Sequence, residues 1–157
     1  MKRIFSLILA FTIMISLCGC GGSFSSVNLS DSIPIPDDGL IRASLLEQIQ
    51  RENAIAVFTG EAKGLHYEWT IFGSDLHETK DINLLVTLEK ADGGIKMSFA
   101  DSEPFGFPAL LSIHLDEKWT ALAATAYRDG AAISSVSLTG SKTSILNLPV
   151  NSYIGSC

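Results

Sequence analysis

The chain has 157 residues, 46% of them hydrophobic and 18% charged, which is enough apolar material for one folded domain and excludes a disordered polyampholyte. Seventeen acidic against 11 basic residues give a net charge of −6, a balance that repels nucleic acid and anionic head groups, so neither is an expected partner.

The N-terminus opens with Lys2 and Arg3, and then an apolar stretch runs from Ile4 to Leu17, broken only by Ser6, Thr12 and Ser16. This is the layout of an export signal. As a helix those residues would span only about 21 Å, short of the roughly 30 Å hydrocarbon core, so a membrane-spanning helix is not expected. The stretch ends in Leu17-Cys18-Gly19-Cys20. This tetrapeptide resembles the lipobox of bacterial lipoproteins, with an aliphatic residue three before the cysteine and a small one just before it. The resemblance implies cleavage between Gly19 and Cys20, and a thioether-linked diacylglyceryl group on the Cys20 thiol. Cys18 does not fit, because Leu17 would then occupy the cleavage position. Two acyl chains, at about 0.8 kcal/mol per buried methylene, anchor a protein stably where one would be marginal.

Residues 1–19 are thus expected to leave, and residues 20–38 to serve as the lipidated cysteine and a flexible tether. Residues 39–157 are expected to form one domain. Losing Lys2 and Arg3 leaves 9 basic against 17 acidic residues, a net of −8. Cys157 is then the remaining thiol, which excludes a disulfide within the domain and leaves open pairing with another chain.

Gly21 to Asp38 is rich in Gly, Ser, Pro and Asp without a sustained period, hence the tether. Ile41, Leu45, Leu46 and Ile49 then recur at helical spacing, predicting a helix over 40–52, with Asp37 or Asp38 as its cap and Asn53 as its stop. From Ala54 the period switches to two. Strands are predicted over 54–60, 65–72, 82–89, 95–99, 109–116, 119–128, 131–138, 143–148 and 152–154. Turn signals fall between them at Gly73-Ser74-Asp75, Asp92-Gly93-Gly94, Pro104 to Pro108, Asp129-Gly130 and Gly140-Ser141. Short alternating strands at this spacing predict a mainly β fold, an antiparallel β-sandwich, immunoglobulin-like or barrel-like, with one short N-terminal helix. Tyr67, Trp69, Trp119 and Tyr127 are expected to pack in the core or across strands.

The segments 41–60, 67–76 (Tyr67-Glu68-Trp69-Thr70, then Gly73, Asp75 and Leu76), 80–88 and the ending around Tyr153 resemble a β-rich module of exported surface proteins of Gram-positive anaerobes. The resemblance implies a small noncatalytic surface domain. Where the module carries a Gly-Lys pair, this chain has Gly106-Phe107-Pro108-Ala109.

No catalytic constellation is read from the sequence. His66, His77 and His114 are the three histidines, and none has an i, i+4 partner or a neighbouring cysteine, so a metal site would have to be assembled by the fold. His66 and His114 fall on the polar faces of strands and are expected as solvated or cross-strand residues. No Gly-x-Ser-x-Gly elbow and no phosphate-binding glycine loop occurs. Asp75, His77, Glu78 and Asp81 form the densest polar cluster and are the candidate binding residues, while Asp101 and Glu103 offer another carboxylate pair. No cofactor and no enzymatic activity are expected. The expected function is a membrane-anchored extracytoplasmic module that binds a surface protein or glycan or serves a structural role. The alternatives are a small cell-wall or polysaccharide hydrolase, and the ligand-binding lipoprotein of a transport system.

Overall fold

The computed structural model describes residues 28–103, 105–115, 123–137 and 145–150. Cys18, Cys20, Trp119, the Gly140-Ser141 turn, the 152–154 strand and Cys157 lie outside them. Among the described residues the fold is mainly β, two open sheets of five and four strands packed as a sandwich, with a further two-stranded pair and one α-helix.

The chain enters through two short strands, β1 (Ile33–Pro34) and β2 (Leu40–Ile41), ahead of helix α1 (Ala43–Glu52). β1 pairs in parallel with β3 (Ile55–Ala62), and Leu29 is buried in the core. Part of the stretch expected as tether is therefore docked, because Leu29, Ile33 and Ile35 find apolar surface there. The helix starts three residues later than predicted, since Leu40 and Ile41 pair with β5 (Ile82–Asn83). It buries Leu46 and Ile49 and stops at Asn53, whose own N–H donates to Gln50 O and whose left-handed backbone (φ 48°) turns the chain so that the Ala54 N–H reaches Ile49 O.

β3 turns tightly into β4 (Leu65–Phe72), which matches its predicted span. Leu65, Tyr67, Trp69 and Ile71 alternate inward and are buried, as the period of two requires. The predicted strand over 82–89 divides into β5 and β6 (Val86–Ala91). The break comes where Asn83 Oδ1 accepts the Leu85 N–H and the Leu84 N–H donates to Gly39 O. The remaining strands are β7 (Gly94–Phe99), β8 (Ala109–His114), β9 (Ala123–Arg128), β10 (Ala131–Ser137) and β11 (Ile145–Val150). Asp129 (φ 49°) and Gly130 (φ 78°) make the β9–β10 turn, where two successive left-handed residues match the twist of a hairpin.

One sheet has the order β1-β3-β4-β8-β11, the other β10-β9-β7-β6. Pairing is antiparallel except β1 with β3 and β7 with β9. The second exception arises because the chain leaves β7 for β8 in the opposite sheet and returns, so β9 runs in the direction of β7. Between the sheets Trp69 is fully buried, with Phe99 and Phe105 at centroid distances of 5.3 and 5.5 Å, and its Nε1–H donates to Leu84 O at 3.0 Å. Within the predicted 104–108 turn, of which residues 105–108 are described, Phe105 and Phe107 are buried in this core.

Candidate functional site

The polar loop cluster expected to bind a ligand has a structural role at Asp81. Asp81 Oδ1 accepts the Ala43 N–H at 2.8 Å and its Oδ2 accepts from Arg42 Nη1 at 2.9 Å. The first turn of α1 is thereby capped from outside, since Arg42 at the cap position supplies no side-chain bond of its own. The Ala43 N–H, then the Arg42 side chain, hold the Asp81 carboxyl below its ordinary range. Asp75 ends the short 3-10 helix Gly73–Asp75 and accepts from the Ser74 hydroxyl, while His77 and Glu78 are exposed in the loop beyond it. Asp101 is engaged as well: its Oδ2 accepts the Asn83 N–H and its Oδ1 the Glu103 N–H.

A convergence that the sequence did not single out lies on the opposite, outward face of the five-stranded sheet. His66 and Glu68 are two apart on β4 and so share that face. β8 runs antiparallel beside β4 in the register Tyr67↔Ile113 and Glu68↔Ser112. One residue further along, the same register sets His114 against His66, and the two rings meet edge to face with centroids 5.0 Å apart. Glu68 spans both: its Oε1 lies 3.3 Å from His66 Nε2 and its Oε2 3.7 Å from His114 Nε2. All three donor atoms fall within 4.8 Å of one another. The three side chains are 42%, 31% and 39% exposed, so solvent reaches them, yet the His114 Nε2 atom itself is buried without a hydrogen-bond partner among the described residues. The His-x-Glu spacing was visible in the sequence. The second histidine was not, because its neighbour is set by pairing between strands 46 residues apart at Glu68 and His114.

A third polar feature sits between the sheets. Arg128 is buried, with its guanidinium carbon 5.5 Å from the Phe99 ring centre and 5.3 Å from that of Phe105, and its Nε–H donates to Asp101 O at 3.0 Å. Burial pulls its pKa down, and the charges of Asp101 and Asp129 act the other way.

These features define a two-sheet β domain with a solvent-reachable imidazole–carboxylate cluster on one outer face. No protein-family model, curated protein or solved structure matches the chain. Among the described residues no helix is long and apolar enough to cross a membrane.

Proposed function

We propose that the chain is a bacterial lipoprotein, held on the extracytoplasmic side of the membrane through diacylglyceryl-Cys20. Its β-sandwich serves as a noncatalytic interaction or structural module of the cell surface, with a surface protein or glycan as its partner. The observation that carries this reading is Leu17-Cys18-Gly19-Cys20 placed directly behind a basic start and a short apolar stretch. The likeness of segments 41–60 and 67–76 to a surface-protein module supports the same assignment.

The noncatalytic half of the proposal is supported, over a polysaccharide hydrolase, by what two of the loop carboxylates do. Asp81 spends both oxygens on the start of α1, and Asp101 spends both on backbone N–H groups. A glycosidase needs one carboxyl free to protonate a leaving group and another free to act as base or nucleophile.

Acyl labelling in a bacterial host tests the anchor. The Cys20→Ser chain should remain an unprocessed, unlabelled precursor, and the Cys18→Ser chain should be labelled and cleaved like the parent. Label retained in the Cys20→Ser chain overturns the assignment. Crosslinked capture from native membranes then identifies the partner, and release of sugar from cell-wall material by the purified protein would favour the hydrolase instead.

A further inference from the structure

We propose that His66, Glu68 and His114 form a binding site for one divalent transition-metal cation of the zinc class. The inference goes beyond the surface-module reading and does not rest on the lipid anchor. It rests on how β4 and β8 present three donors to one point.

The spacing fits a common metal. Two ligands bound at about 2.0–2.1 Å to a tetrahedral zinc stand about 3.3–3.4 Å apart. The Glu68 oxygens lie 3.3 Å from His66 Nε2 and 3.7 Å from His114 Nε2, so small side-chain rotations bring both pairs to that separation. Strands hold the alpha carbons still, leaving little to be ordered on binding.

The His114 Nε2 atom is the second pointer. It is buried, it faces the Glu68 carboxylate at 3.7 Å, and it has no hydrogen-bond partner among the described residues. Buried polar nitrogens are nearly always satisfied, and a cation placed between this imidazole nitrogen and the carboxylate would satisfy both.

The donor set selects the class of ion. Imidazole nitrogens suit zinc, copper, nickel and iron, whereas calcium and magnesium require an all-oxygen shell. Three protein donors leave at least one coordination position open, and partial exposure of all three side chains lets water or a donor from a bound partner fill it. Glu61, paired with His66 across β3 and exposed, adds negative charge at the rim. The acidic balance of the whole chain draws cations toward it.

The test is calorimetric titration of the full chain in detergent with zinc chloride. A background with Cys18→Ser, Cys20→Ser and Cys157→Ser removes all three thiols as competing ligands, whether or not the chain is processed. The expected result is saturable binding of a single ion, with calcium and magnesium giving no comparable heat. His66→Ala and His114→Ala should each weaken binding by more than the roughly 10–100-fold that partners outside the first coordination shell carry. Glu89→Gln, on the other sheet, should bind like the parent. Imidazole proton resonances of His66 and His114, but not of His77, should shift with zinc. Absence of saturable binding, or affinity unchanged in either histidine variant, overturns the proposal. If a histidine variant fails to fold by circular dichroism, Glu68→Gln carries the test, because it keeps the side-chain shape and removes the carboxylate; undiminished affinity there is equally fatal. Calcium binding as tightly as zinc would refute the class of ion.

Discussion

Asp81 Oδ1 accepts the N–H of Ala43 at 2.8 Å across 38 residues of chain. The free N–H groups of a helix start are usually satisfied by a local Ser, Thr, Asp or Asn, and here the local candidate Asp38 is turned to another use. Its Oδ1 accepts the Leu40 N–H and its backbone carbonyl accepts from Asn83 Nδ2, which fixes the approach to β2 instead of the cap.

Replacing Asp81 by Ala should therefore lower the melting temperature at neutral pH, with helical signal lost first. The bonds to Ala43 and Arg42 hold the folded-state pKa of Asp81 below its ordinary value of 3.8. Folding therefore favours the ionised carboxyl: its contribution is complete above that value and disappears as pH falls through the lower, folded-state one. Thermal melts of parent and variant should converge in strong acid. A gap that persists undiminished at low pH would show that the cap does not depend on the charge.

Trp69→Ala should cost about 3–5 kcal/mol, the range for emptying a large aromatic site in a packed core. Its ring is fully buried against Phe99 and Phe105, with Leu84 O as its polar partner. Trp69→Phe should cost less, since most of the packing survives and about 0.5–1.5 kcal/mol of hydrogen bonding goes. Urea melts separate the two. Parent-like stability of the Ala variant, with loss of ligand binding, would instead make Trp69 a recognition residue.

Gly60 faces Tyr67 across the β3–β4 pair, and a β-carbon there would stand 2.5 Å from Tyr67 Cζ and 2.6 Å from its hydroxyl oxygen. Tyr67 is fully buried and has no free direction to move. Gly60→Ala should destabilise by about 1–3 kcal/mol through overpacking. In a Tyr67→Leu background the same substitution should cost much less, and additive costs in the double variant would rule the contact out as the cause.

Arg128→Met should be tolerated better than Arg128→Ala. Methionine keeps a long side chain between Phe99 and Phe105 and surrenders one hydrogen bond to Asp101 O, worth about 1 kcal/mol. Alanine empties the slot as well. Equal melting midpoints for the two variants would show that the guanidinium, not the packing, carries the contribution.

The fold class was legible because its signal is local. Alternation alone placed Leu65, Tyr67, Trp69 and Ile71 on one buried face, and Val86 and Leu88 on the buried face of β6. Asn53 and Asp129-Gly130 marked their turns, since left-handed backbone is carried by few residue types. The export signal and lipobox reading also belongs to the sequence, being a matter of adjacent residues.

Which strands become neighbours was a different matter, because register is set by how whole faces pack and has no local signature. Tertiary structure alone put Asp81 under the start of α1, drew Leu29 and Ile33–Pro34 out of the expected tether onto the sheet, and sent Phe105 and Phe107 from a turn into the core. It also set His114 beside His66. Two histidines 48 residues apart in the chain share a carboxylate only because β8 pairs with β4 in one particular register, and a shift by a single residue would turn His114 to the opposite face.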